Sequence, residues 1–240
     1  MSDDLHQIWV YLSANPLAGL TLTLVAYQCG LWLFEKLGRR PVLNPVLIGV
    51  VLIAGVLSLS DIDYRTYFDG AQFVHFLLGP ATVALAVPLY NQFQEVRRSA
   101  LALVVALLVG STASALSAVA LVWAFGGSAV TILSMAPKSV TSPIAMGVSE
   151  QIGGLPSLTA VFVIITGIVA ASLGTWVLNL VRVKDWRARG FGMGVAAHGI
   201  GTARALQVNE VAGAFAGLGM GLNGLATALL LPTLYHLIWG

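Results

Sequence analysis

Lys138, followed by Ser139, Thr141 and Ser142 and framed by Pro137 and Pro143, is the group of residues in this chain best equipped for chemistry. An ammonium group at the centre of a membrane segment costs roughly 2.5–3.5 kcal/mol on insertion scales, so a lysine here marks a polar or water-filled cavity. Each proline removes a backbone donor and disfavours helix at the residue before it, leaving amides and carbonyls open to a solute. The chemistry on offer is capture of a small anion by one charge and several hydroxyls. A second group, A-A-H-G-I-G-T-A-R-A, places His198, Gly199, Thr202 and Arg204 in equally apolar surroundings. A guanidinium there suits a carboxylate through its planar fork, or else pairs with Glu150 or Glu210, or snorkels to an interface. His198 can relay protons near neutrality or simply satisfy a helix carbonyl. A third group, Gly79-Pro80 with Thr82, predicts a kink whose hydroxyl faces solute or bonds back to its own helix. Glu150 and Glu210 follow the two charged groups and are candidates for proton coupling. Lys138 and Arg204 are expected to line one cavity.

The elements that must position these residues are apolar helices. The chain has 240 residues, 58% hydrophobic and only 9% charged, and its mean hydropathy is +0.88. Soluble domains carry about 25% charged residues, so this composition describes an integral membrane protein. Apolar stretches of membrane-spanning length fall at 17–37, 42–59, 72–90, 99–125, 129–148, 155–183, 191–206 and 211–239. The expected fold is therefore all-α and polytopic, with about seven or eight transmembrane segments. Breaks are expected near 79–80, 137–143 and 198–204. Residues 1–240 form one membrane domain, with 8–71 as scaffold and oligomerisation helices and 72–240 as a core of broken segments.

Charge placement complicates a simple crossing pattern. Basic residues gather at Lys36, Arg39 and Arg40, at Arg97 and Arg98, and at Arg182, Lys184, Arg187 and Arg189. If every segment crossed, the third cluster would face away from the first two, against the tendency of such residues to share the cytoplasmic side. A re-entrant 129–148 segment removes the conflict, and a full crossing with the third cluster outside is the alternative. A constant offset superposes Pro80 on Pro137, Leu101 on Leu158 and Gly110 on Gly167. Such repeats, inverted ones above all, accompany a midplane site in secondary carriers, whereas chance likeness of apolar stretches is the plain reading.

Several functions are excluded by what the chain lacks. A net charge of +2 in short loops makes no stripe for a nucleic acid. The single cysteine, Cys29, forms no internal disulfide or cysteine cluster and is expected to be an inert packing thiol. Scattered histidines give no metal spacing, and hydrolase, zinc-protease and phosphate-loop motifs are missing, so neither cofactor, metal nor enzymatic activity is expected. Ser139 and Lys138 as neighbours on a helix diverge by about 100°, which disfavours a catalytic dyad. Asn44 and Asn223 read as interhelical hydrogen-bonding groups, and the glycine run before and after Met220 as a packing surface. The first residues lack the basic start and small-residue cleavage site of a signal peptide.

Three motifs together resemble the LrgB/CidB family: L-G-P-A-T-V-A-L-A-V-P-L-Y at 78–90, P-K-S-V-T-S-P-I-A at 137–145 and H-G-I-G-T-A-R-A at 198–205. Relatives often carry threonine where this chain has Ser142 and an acid where it has Gly147, so no acid can act at that position here. The resemblance implies two functions. One is carriage of small 2-hydroxy or 2-oxo carboxylates such as glycolate, glycerate or pyruvate; a carrier moving a solute past broken helices is expected to use alternating access with proton or ion coupling, of an elevator type by analogy. The other is holin/antiholin-type modulation of murein hydrolase activity and lysis beside a small LrgA/CidA-like membrane protein. The expected setting is a bacterial inner membrane, with lipid as surroundings and a homodimer as the assembly. The residues favour the carrier: Lys138 and Arg204 supply charge, and Thr82, Ser139, Thr141, Ser142 and Thr202 supply hydroxyls.

Overall fold

A computed structural model describes residues 16–38, 43, 45–77, 80, 83–84 and 86–239, and every element among them is helical. The chain divides into two compact units, Met1–Ala84 and Leu85–Gly240, whereas composition placed the division after residue 71.

In the first unit, α1 (Pro16–Lys36), α2 (Pro45–Leu59) and α3 (Tyr64–Phe76) pack through small residues. Gly30 abuts the backbone of Pro45 and Gly49 that of Tyr27, so α1 and α2 run antiparallel. Thr23 Oγ1 lies 2.8 Å from Tyr67 Oη, joining α1 to α3. Cys29 is exposed on α1 rather than packed, because the apolar stretch that suggested burial turns its outer face away from its neighbours.

The second unit contains α4 (Ala86–Asn91), α5 (Phe93–Arg98) and α6 (Ala100–Ala124). It continues through α7 (Ala129–Met135), α8 (Ser142–Gln151), α9 (Pro156–Leu180), α10 (Trp186–Val208) and α11 (Glu210–Trp239). Among the described residues, four helices are long and apolar enough to cross a membrane: Leu17–Lys36, Ala100–Ala124, Pro156–Leu180 and Glu210–Leu237. Large apolar side chains such as Leu101, Val105, Ile165, Trp176 and Leu229 are exposed along them, a surface suited to lipid rather than water.

The polar segments fold differently from these spans. After α7, the turn of Pro137–Thr141 reverses the chain, and α8 returns against α9, which α7 also contacts. Thr159 Oγ1 of α9 lies 3.0 Å from the Ser134 carbonyl and 2.7 Å from Ser149 Oγ, bridging the two arms. Leu155 N donates to Ser134 Oγ at 2.8 Å, so the exit of the hairpin lies level with its outgoing arm. With 10 residues, α8 is about 15 Å long, half the hydrocarbon thickness of a bilayer.

A second hairpin hides within α10, whose helix is broken at Ala197 (φ −134°, ψ 15°) and His198 (φ 43°, ψ −135°). Gly190 and Gly194 press against Ala212 and Ala216, so the outgoing arm runs parallel to α11. Beyond the break the chain returns: Gly201 abuts Met193, while Arg204, Ala205 and Val208 lie beside Trp186 and Arg189. A span across 191–206 is thus corrected to a reversal at 197–198, produced by two non-helical residues with no proline to announce it. Leu103, Leu107, Phe191, Val195 and Phe215 form the main core, which clamps this hairpin between α6 and α11.

The hairpins open at opposite ends of α9. The first joins its N-terminal end, and the second joins its C-terminal end, where Arg189 donates to Asn179 Oδ1 and the Val183 carbonyl. Arg187 Nη1 reaches Glu95 at 2.9 Å, bringing the basic runs at 97–98 and 182–189 to the same end of the unit. The charge conflict between those two clusters is therefore removed. Arg187 also grips Asp185 at 2.7 Å and holds its carboxyl down at about 2, so the pair stays ionised at neutral pH.

A hairpin at α10 predicts that its two ends share one side of the membrane. In a Cys29→Ser background, Lys184→Cys and Gln207→Cys should react with an impermeant maleimide from the same side. Labelling from opposite sides would establish a full crossing.

Candidate functional site

The two hairpin tips converge on the middle of α11. Asn223 is 1% exposed, and its Nδ2 donates to the Val195 carbonyl at 2.9 Å and toward the Ser139 carbonyl at 3.4 Å. One amide thus joins the backbone of both tips. Because both partners are acceptors, the orientation of the amide is fixed by its bonding. Among the described residues its Oδ1 has no partner.

Around the first tip, Lys138 Nζ lies 3.2 Å from both Ser114 Oγ and Ser139 Oγ. Those hydroxyls are 2.7 Å apart, so an ammonium and two hydroxyls form a closed triangle. Lys138 is half-buried and Ser139 buried. A cleft of about 150 Å³ adjoins the triangle, with Ser111, Thr112, Ser139, Asn223 and Thr227 as its polar lining between leucine side chains. Thr141 stands at the N-cap position of α8 without a side-chain bond to it, and Ser142 is the first helical residue; both are half-buried beside the tip. The amides that begin α8 have no earlier helical carbonyl to bond, and their partial positive charge adds to that of Lys138.

At the second tip His198 is buried, with Nε2 2.9 Å from the Val163 carbonyl. Gly167 makes this possible, since a side chain there would collide with the imidazole. Thr202 Oγ1 donates back to the His198 carbonyl at 2.8 Å and so supports the broken backbone. Gly199 begins the returning arm, which aims a second helix start at the convergence.

The structure therefore brings Lys138, Ser139, Thr141, Ser142, His198, Gly199 and Thr202 to the two tips. It does not bring Arg204 to them. Arg204 lies about 9 Å down the returning arm, taken from the rise per residue, where it borders a separate depression with Trp186, Arg189 and Met193. Its Nη1 reaches Gln207 Oε1 at 3.5 Å. Glu150 and Glu210 are exposed near the open ends of the hairpins. Thr82 and Asn44 lie outside the described residues. Ser111, Thr112, Ser114 and Thr227 were not singled out from the sequence, although the hydroxyl-rich S-T-A-S-A-L-S at 111–117 is an available signal. Among the described residues no group of histidines, cysteines and acids could hold a metal.

The geometry makes Asn223 a structural joint. Asn223→Leu should lower stability by about 1–3 kcal/mol, because it leaves two buried carbonyls without a donor. Asn223→Asp should be no better, since a carboxylate cannot donate. Unfolding of the purified variants in detergent measures this, and a neutral Asn223→Leu would contradict the assignment.

Comparison with known proteins gives the same pattern along nearly the full chain. The family model described as LrgB-like family matches residues 23–237. The antiholin-like protein LrgB of Bacillus cereus is 31% identical over 218 residues, covering 91% of this chain and 95% of that protein. YwbG of Bacillus subtilis is 34% identical over 219 residues, covering 91% of this chain and 96% of the relative. YxaC of the same organism is 34% identical over 203 residues, at 85% and 88% coverage. No solved structure matches. With motif, length and helix pattern all in agreement, the chain belongs to the LrgB-like family.

Proposed function

We propose that this membrane protein carries a small carboxylate, such as a 2-hydroxy or 2-oxo acid, across an inner membrane by alternating access. The observation that carries the reading is the meeting of two broken hairpins at Lys138 and Asn223, halfway along full-length helices. With α9 crossing the bilayer, the hairpins dip from opposite faces, the arrangement that secondary carriers use to expose one site to either side. Helices α6 and α9 each have 25 residues, and each precedes a hairpin, which supports an inverted repeat. The sequence offset that pairs Gly110 with Gly167 also pairs these two helices.

In this reading Lys138 is the principal charge for the anion. Ser114 and Ser139 stand in as its partners when the site is empty, and the helix starts at Ser142 and Gly199 add favourable dipoles. His198 is the candidate for coupling to protons. An elevator movement of the second unit and a homodimeric scaffold belong to the same proposal.

The antiholin-like relative of Bacillus cereus supports a second reading at least as well: an antiholin-like role. The family resemblance extends this reading to action beside an LrgA/CidA-like small membrane protein that modulates murein hydrolases and lysis. The two meet if lysis follows from altered carboxylate or proton balance.

Uptake of labelled glycolate, glycerate and pyruvate by proteoliposomes, with and without a proton gradient, tests carriage directly. Lys138→Gln should reduce uptake by roughly 10- to 100-fold, the value of a lost charge-assisted hydrogen bond. Arg204→Lys should retain most of it, because the fork lies away from the tips. A severe loss in Arg204→Lys with normal uptake by Lys138→Gln would exchange their roles. In cells, loss of lysis control in Lys138→Gln would tie the two readings together. Lysis control unchanged, with no uptake by the wild type, would favour the antiholin-like assembly alone.

A further inference from the structure

Beside the core of the second unit runs a groove of about 440 Å³ that the tip site does not use. Its floor is Leu103, Phe191 and Phe215, its walls include Ala106 and Gly192, and Ser99, Asp185 and Arg187 stand at its mouth. The floor side chains are buried, while Ala106 and Gly192 are exposed at the lip. The groove follows α6, one of the helices long and apolar enough to cross a membrane.

The mouth carries a surplus of positive charge. Arg98 and Arg187 both contact Glu95, at 3.3 and 2.9 Å, and Arg187 contacts Asp185. Arg97 adjoins this network in sequence on one side, and Arg182 and Lys184 on the other. The two carboxylates offset only part of five neighbouring cations. A small water-soluble anion would lose its hydration against these apolar walls without polar partners deeper in the groove. A hydrocarbon chain gains from the same walls, and a phosphate at the membrane surface meets the cations.

We propose that this groove holds one acyl chain of an anionic phospholipid, with the headgroup phosphate at the Arg98 and Arg187 end. The site is separate from the carboxylate reading and stands or falls without it. Its occupant is distinguished by an apolar chain joined to an anionic headgroup, which matches both the walls and the mouth. Basic clusters favour the cytoplasmic side, so the lipid belongs to that leaflet.

The test is the thermal unfolding midpoint of the full-length protein in neutral detergent, with added phosphatidylglycerol, phosphatidylcholine or free glycerol phosphate. Phosphatidylglycerol should raise the midpoint clearly, phosphatidylcholine should raise it little, and glycerol phosphate should leave it unchanged. Gly192→Leu should abolish the response while keeping the basal midpoint, because nothing lies within 4 Å of a Cβ at Gly192. Ala106→Leu fills the groove from the opposite wall and should act alike. Arg97→Gln with Arg98→Gln should weaken the preference for phosphatidylglycerol several-fold in bound lipid measured by mass spectrometry. Equal responses to the two lipids, or a full response in both groove-filling variants, would overturn the proposal. A full response to glycerol phosphate would make it a soluble-phosphate site and overturn it equally.

Discussion

The structure depends on one constraint: backbone broken inside an apolar layer must find hydrogen-bond partners within the protein. An unsatisfied amide or carbonyl in hydrocarbon costs several kcal/mol, so a chain reversal at that depth survives only where neighbours supply donors and acceptors. Asn223 does this for both tips at once, through the Ser139 and Val195 carbonyls. The same rule explains Thr159 between the arms of the first hairpin and His198 against Val163. Lys138, His198 and Asn223, each expensive in an apolar layer, have backbone or hydroxyl partners in the fold.

Apolar packing holds the tips as well. Val195 of the second tip belongs to the Leu103–Phe215 core between α6 and α11. Val140 of the first tip packs with Ala145 and with Val163 of α9. Ion binding beside Lys138 would compete directly with its bonds to Ser114 and Ser139. That competition gives a physical route from occupancy to hairpin movement.

Much of this was legible in residue types. Pro137, Lys138 and Pro143 announce the first reversal because proline cannot continue a hydrogen-bond ladder and lysine cannot stay in lipid. The alternation of basic clusters pointed to a re-entrant segment, and the Glu95–Arg187 pair brings the two later clusters together as that required. The second reversal was hidden. His198 takes a left-handed φ of 43°, which no periodicity signals, and the glycines around it read equally well as close helix packing. In the sequence Asn223 reads as an interhelical group, and its role as a joint depends on a meeting of distant segments that no local pattern encodes. Residue type alone pairs Arg204 with Lys138, since both are costly charges, but the reversal at 197–198 carries Arg204 back toward Arg189 and the basic end.

Equilibrium binding of labelled carboxylate to the purified protein, compared with Lys138→Gln, tests the central claim most directly. The account predicts saturable binding by the wild type, displaced by small 2-hydroxy or 2-oxo acids, and its loss in a Lys138→Gln protein that remains folded. Equal binding by both proteins, or no binding by a folded wild type, would contradict an anion site at the meeting of the two hairpins.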